Sequence, residues 1–456
     1  MYSGVHSLNL KIKKRSWVYL GYIVLLYVLG FAIWPHLNAE EFQTYHYVLN
    51  INVAKLIFSI LVSLAIWNVI NKRYGNLETF SDQVIMVLIL FYFLPGIVVS
   101  GLVNYEWSYI LEYIMYLIAL LIFNSVIIMP KKKIRFFSKQ STNFIRNAIL
   151  IVALLYPFVL IRVFGKSLTI DELVSTFNDP YGVRNASKEM TVSWIIIAIE
   201  YWASYFGFVM ITYYIRRKKY WLATLFVICE LFYFILQGNR IFPFFIIIAV
   251  VLGIFNLNRE VTKYVFLGIA GVQVLEYLIL GNNSLGFFTN VFRRFSIVPN
   301  MISTSYFDYF QNLPKDWLRG TFTNLFGLFG LASPYGYDIN YLIGQKYYGF
   351  RMYANNGMFG GAFFEFGSLG ILIDTAMFVV VLRIFEKTLK RTDNNIKFMF
   401  AVIFGTLAIN TPVIWSGCFK LSYLLMVLLT FLLFFNRPED NDNNNARTKA
   451  RNTNLI

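Results

Sequence analysis

Charge is scarce in this chain. Asp, Glu, Lys and Arg make up 14 % of the 456 residues, against about 25 % in a soluble globular protein. Cysteine occurs twice, as Cys229 and Cys418, and histidine three times, as His6, His36 and His46. The two cysteines are far apart in apolar stretches, which excludes a disulfide scaffold. With so few His and Cys there is no metal-ligand spacing, so no metal is expected. No P-loop or G-x-G-x-x-G stands in a cytoplasmic context, and no other cofactor is expected. What the chain has instead is 58 % hydrophobic and 19 % aromatic residues, with a mean hydropathy of +0.58. That excludes a water-soluble enzyme and a disordered chain. A net charge of +16 would suit nucleic acid in a soluble protein. Membrane topology accounts for it better, so membrane lipids are expected partners and nucleic acid is not.

A helix crossing the hydrocarbon needs about 20 mostly apolar residues. Twelve stretches qualify: 16–34, 51–70, 84–104, 109–129, 147–165, 191–215, 220–237, 241–257, 264–281, 357–382, 398–414 and 418–435. No A-x-A-like site follows the first, which reads as an anchor rather than a cleaved signal. The expected architecture is all-α and polytopic, one integral membrane domain over 1–435 followed by a polar, disordered cytoplasmic tail at 436–456. With twelve spans, 27 of the 40 basic residues fall on one side, including Lys131–Lys133 and Arg216–Lys219. That asymmetry predicts that both termini are cytoplasmic.

Two opposite-side loops are long, 166–190 and 282–356, the larger between helices nine and ten. Loops of this length are usually functional or disordered. The larger is rich in aromatics, so it should fold against the membrane surface. Its 287–295 stretch has the spacing of an interfacial amphipathic helix. Eleven basic residues lie on this outer side, six of them Arg: Arg184, Arg240, Arg293, Arg294, Arg319 and Arg351. The guanidinium fork binds phosphate bidentately, so the cluster suits a pyrophosphate-linked lipid; pairing with lipid headgroups or carboxylates is the plainer use. Arg240 stands in the turn Gly238-Asn239-Arg240, where a charge near the apolar layer needs a partner or a wet cavity.

Glu365 sits in Asn355–Gly370, a segment with five glycines. Small residues there permit close helix approach. A carboxylate among phenylalanines with a nearby arginine can serve as a general base; locking the long loop is its structural alternative. Asp308 and Asp338 are reserves. Glu200, Glu230 and Asp374 lie near mid-membrane by position and keep a proton relay or ion pathway open. The pair Glu40-Glu41, in the first outer loop, fits either a catalytic acid pair or a solvated loop.

This arrangement resembles the bacterial O-antigen and capsular repeat-unit polymerases, the Wzy-type glycosyltransferases. The likeness rests on the span number, the G-x-R turn at Gly238-Asn239-Arg240, the large outer loop, and an E-x-G-x-x-G at Glu365-Phe366-Gly367-Ser368-Leu369-Gly370. It implies a GT-C-like membrane fold in the bacterial cytoplasmic membrane. It also implies polyprenyl-pyrophosphate-linked oligosaccharides as substrates, no metal or nucleotide, and a chain-length regulator as a possible partner. Carried over, Arg240 matches the turn arginine and Glu365 the glutamate of the glycine-rich segment. Arg184, Arg294, Arg319 and Arg351 match only as outer-loop arginines expected to bind substrate. The related ligases use a histidine in the long outer loop, which this chain lacks. Two other readings stand beside it: a lipid-linked oligosaccharide flippase or proton-coupled exporter using Glu200, Glu230 and Asp374, and another polyprenyl-phosphate-sugar glycosyltransferase using Glu40 or Glu41.

Overall fold

The structure is a computed structural model of the chain. It describes residues 17–38, 47–73, 77, 79–128, 143–164, 169–178, 183, 194–238, 241–255, 259–281, 286–319, 329–331, 333–335, 339–348, 354, 357–389 and 392–410. Every regular element among them is a helix. In chain order these are α1 Trp17–His36, α2 Val53–Lys72, α3 Phe80–Leu102, α4 Trp107–Val126, α5 Asn143–Phe164, α6 Ile170–Asn178 and α7 Trp194–Arg216. There follow α8 Tyr220–Gln237, α9 Ile241–Ile254, α10 Arg259–Leu280, α11 (Phe287–Phe292, Arg293–Ile297 and Val298–Phe310 without a break), α12 Ile339–Tyr348, α13 Gly357–Phe366, α14 Ser368–Leu389 and α15 Asn394–Asn410.

Seven of these, α1 to α5, α8 and α14, are long and apolar enough to cross a membrane. The chain is thus a helical multi-pass membrane protein. Its surface chemistry agrees. On α2, Ile57, Leu61 and Leu64 are exposed on one face while Lys55, Ser59 and Ser63 are buried on another. Exposed apolar residues spaced i, i+4, i+7 with polar groups turned inward suit lipid outside and hydrogen bonds inside. The buried groups are partnered: Lys55 Nζ donates to Asn104 Oδ1 at 2.7 Å, and the Tyr27 hydroxyl lies 2.9 Å from Ser59 Oγ.

Three of the expected stretches take another form. That at 241–257 holds an apolar helix shorter than a full span, Ile241–Ile254, and that at 264–281 is the apolar part, Tyr264–Leu280, of the 22-residue α10. The stretch 357–382 is two helices, α13 and α14, broken at Gly367. The stretch 418–435 and the tail 436–456 lie outside the described residues. The 287–295 segment is no surface-lying amphipathic helix. It belongs to α11, where Thr289, Val291, Phe292, Arg293, Phe295, Ser296 and Ile297 are all buried.

The described residues form two compact units. Unit 1 draws on Met1–Ile128, Phe255–Glu386 and Phe400–Leu421, and unit 2 on Met129–Ile254, Lys387–Met399 and Ser422–Ile456. In unit 1, α3 is the central strut: from Phe80 to Leu102 every residue except Asp82 is buried. Three helices of this unit widen into a π-turn, at Leu29–Ile33, Ile89–Phe93 and Arg293–Ile297. Each ends two residues before a proline: Pro35, Pro95 or Pro299. A proline ring clashes with the carbonyl four residues back and supplies no N–H, and widening the turn relieves the clash. The carbonyls left over are taken by side chains. The Tyr22 hydroxyl donates to Leu90 O at 2.6 Å; the Tyr113 hydroxyl and Asn300 Nδ2 donate to Tyr92 O at 2.9 and 3.1 Å. These bonds tie α1, α4 and α11 to α3, and the wide turns of α3 and α11 pack on each other.

Candidate functional site

The E-x-G-x-x-G segment and Arg319, one of the arginines expected in the outer loop, meet in unit 1. α13 ends because Gly367 adopts φ +65°, its N–H returning to Phe363 O at 2.9 Å. That left-handed cap is open to glycine and resisted by other residues. α14 then starts afresh at Ser368 and approaches so closely that a Cβ on Gly370 would stand 2.1 Å from Ala362 O. The break leaves Glu365 in the last turn of α13, 3 % exposed.

Residues 311–319, which follow α11, fold back onto this helix end. The Asp316 N–H donates to Phe364 O at 3.3 Å, the Trp317 N–H to Glu365 O at 3.0 Å, and the Leu318 N–H to Glu365 Oε2 at 2.7 Å. The loop reaches these acceptors with both Trp317 (φ +56°) and Leu318 (φ +63°) left-handed. For non-glycine residues that costs about 1–2 kcal/mol each, and such strain persists only where surrounding bonds over-determine it. Arg319 closes the loop: its Nε donates to Asp316 O at 2.7 Å and its Nη2 to Lys315 O at 3.0 Å.

Side chains reinforce the same turn. Asp316 is fully buried and accepts from the Ser333 hydroxyl. The Tyr335 hydroxyl donates to Pro314 O, and burial pushes its phenol pKa up. Lys315 Nζ donates to Phe310 O and lies 4.4 Å from the centre of the Phe363 ring. Desolvation lowers the Lys315 pKa, with Glu112 of α4 opposing. Glu112 in turn accepts from the hydroxyl of Ser368, the first residue of α14. The break at Gly367 thus gathers Glu112, Lys315, Asp316, Arg319 and Glu365, two cations and three carboxyl groups.

The other expected residues are distributed as follows. Arg293 and Arg294 lie in the wide turn of α11, Arg293 buried with Nη2 3.3 Å from Asn290 Oδ1, Arg294 half-buried. Gly238 makes the expected tight turn, with φ +59° and its N–H on Phe234 O at 2.8 Å. Arg240 itself lies outside the described residues, as do Arg184, Arg351, Asp338, Glu40 and Glu41. Asp308 is exposed in the last turn of α11, where Tyr347 donates to it at 2.5 Å. In unit 2, Glu200 Oε1 accepts from Gln237 Nε2 at 2.7 Å, and Glu230 is fully enclosed. In unit 1, Asp374 accepts from the Tyr116 hydroxyl at 2.5 Å. No family model, curated protein or solved structure matches the chain.

Several working residues carry no sequence signal. Glu276, near the end of α10, caps α11: its Oε1 accepts from the Phe288 N–H at 2.7 Å, its Oε2 from the Thr289 N–H at 2.8 Å. A carboxylate at a helix N-terminus satisfies orphan donors and meets the positive end of the dipole. Nothing in the sequence pairs residue 276 with residue 288, across a glycine-containing turn. Asp316 and Lys315 read as ordinary loop charges until the loop is folded.

Proposed function

We propose that the chain is a polysaccharide polymerase. It would be a metal-independent glycosyltransferase that joins polyprenyl-pyrophosphate-linked oligosaccharide repeat units on the outer face of the bacterial cytoplasmic membrane, passing the growing glycan to the incoming unit. The observation that supports this reading is the docking of the Arg319 loop on Glu365 through the Leu318 N–H at 2.7 Å. Two features chosen separately in the sequence, an outer-loop arginine and the glutamate of the glycine-rich segment, lie in one hydrogen-bonded turn.

The chemistry asks little of the protein beyond positioned charge. Pyrophosphate is already a good leaving group, so catalysis needs stabilisation of the negative charge that develops as it departs. Arg319 spends Nε and one Nη2 hydrogen on the loop carbonyls. Of the five N–H donors of a guanidinium, three remain for phosphate oxygens. Arg184, Arg240, Arg294 and Arg351 are the further proposed cations. The incoming hydroxyl needs a base within reach. In this reading Glu365 holds the loop in the resting protein and takes the proton once the loop lifts, and the exposed Asp308 is the reserve base.

A second reading, a lipid-linked oligosaccharide exporter driven by protons, draws on the enclosed Glu230. The two separate in cells and in vitro. Purified protein with a lipid-pyrophosphate oligosaccharide should give a ladder of lengthening glycans on a gel. In cells, Arg240→Ala and Arg319→Ala should leave single-unit glycans at the surface. Loss of all surface glycan, with units trapped inside, refutes the polymerase in favour of export.

A further inference from the structure

Unit 2 encloses a carboxyl group for which the proposed glycan chemistry has no use. Glu230, midway along α8, is fully buried, and neither carboxyl oxygen makes a hydrogen bond. Its space is made by a glycine of the facing helix: a Cβ on Gly207 of α7 would lie 2.0 Å from Glu230 Oε1. Three and seven residues further along α8, on the same helix face, stand Tyr233 and Gln237. The Tyr233 hydroxyl is likewise buried without a hydrogen bond. Gln237 donates to Glu200 of α7 at 2.7 Å. Glu230 and Gln237 are separated by about 10 Å along the helix axis. A polar line therefore runs from the Gly238 end of α8 to the middle of the helix.

The charges around this line decide its state. Acting on Tyr233 are Glu230 and Cys229 from α8, Glu200 from α7 and Tyr156 from α5. α6, which also packs on α8, brings Asp171 and Glu172 in its first turn. α9 packs there too and carries no ionisable residue. The cations on these helices, Arg146 and Arg162 of α5 and Arg216 of α7, stand in end turns of their helices, and among the described residues none is a partner of Glu230. A carboxylate enclosed with no cation and no hydrogen bond is far costlier than the neutral acid. Packing alone would be served better by leucine, because even the neutral acid leaves a donor unpaired.

We propose that Glu230 is a proton-binding site, loaded and emptied from the Gly238 end of α8 by way of Glu200 and Tyr233. The ligand is the proton itself, held at the Glu230 carboxyl. The site belongs to unit 2 and does not depend on the polymerase reading.

Infrared spectroscopy of the full chain in lipid nanodiscs tests it without any glycan substrate. At neutral pH the protein should show a carboxylic-acid C=O band that is lost in Glu230→Gln and shifts down after transfer to D2O. Absence of a band assignable to Glu230 overturns the proposal, because the group is then ionised. A band that fails to shift over hours of D2O also overturns it, because the acid is then sealed and exchanges no proton. Should Glu230→Gln not fold, dicyclohexylcarbodiimide, which couples to protonated carboxyls in apolar surroundings, assigns the site in the unaltered protein. Peptide mapping is then expected to find one adduct on Glu230, and an unlabelled Glu230 refutes the site.

Discussion

Removing the Glu365 carboxylate should release the arginine loop. In Glu365→Ala the Leu318 N–H loses the acceptor now at 2.7 Å. A hydrogen bond to a charged group contributes about 1.5–3 kcal/mol, and leaving its buried partner unpaired costs a further 1–3 kcal/mol. Undocking also relieves the left-handed strain at Trp317 and Leu318, so the strain works with the mutation. Allowing for solvent reaching the freed N–H, the docked-to-undocked ratio should fall by about 2–4 kcal/mol, on the order of 30- to 1000-fold. Glu365→Gln keeps an amide oxygen as acceptor and gives up only the charge, a loss of about 1 kcal/mol, roughly fivefold. Hydrogen exchange at the Trp317 and Leu318 amides reads both. Protection should collapse in the Ala variant and fall only slightly in the Gln variant. Equal protection in all three proteins would refute the idea that this carboxylate holds the loop. The same pair sorts the chemistry: elongation retained in Gln but lost in Ala means Glu365 only positions Arg319, whereas elongation lost in Gln with the loop still protected means it is the base.

Three further outcomes are expected. Gly207→Ala drives a methyl into the space of Glu230 Oε1, 2.0 Å from the new Cβ, and should cost about 1–3 kcal/mol, visible as a lower Tm; an unchanged Tm would mean that α7 and α8 have room to part. Glu276→Ala strips the cap from α11 and should cost about 1–2 kcal/mol, with faster exchange at the Phe288 and Thr289 amides; unaltered exchange there would show that the cap is idle. Desolvation lowers the Lys315 pKa, so the folded protein disfavours the charged form. Stability from this group should therefore grow as pH rises through its lowered pKa towards the ordinary lysine range, and be absent below it. Lys315→Met should flatten that part of the pH–Tm curve, and an identical slope in the variant would assign the dependence elsewhere.

The wide turns show what a local pattern can and cannot say. Phe31–Pro35, Phe91–Pro95 and Phe295–Pro299 share one spacing, Phe four residues before Pro, and each marks a π-turn. The same spacing at Phe310–Pro314 marks the end of α11 instead. A proline must disturb a helix, because its ring geometry is fixed. Whether the helix widens or stops depends on who accepts the freed carbonyls. At Pro95 the partners come from Tyr22, Tyr113 and Asn300, on three other helices.

The sequence by itself settled the helical, membrane-embedded character of the chain, because length and apolar content of a segment are local quantities that a bilayer reads directly. It also marked Glu365 in the glycine-rich segment as a candidate site, but placed it within one continuous span. Only the tertiary structure decided that this span breaks fully at Gly367, that α11 is a core helix, and that the loop carrying Arg319 is docked on Glu365. It alone showed that Glu230 lies in a space cleared by Gly207. Each of these joins residues distant in the chain, and such pairings are set by packing and by hydrogen bonds that form only when the helices meet.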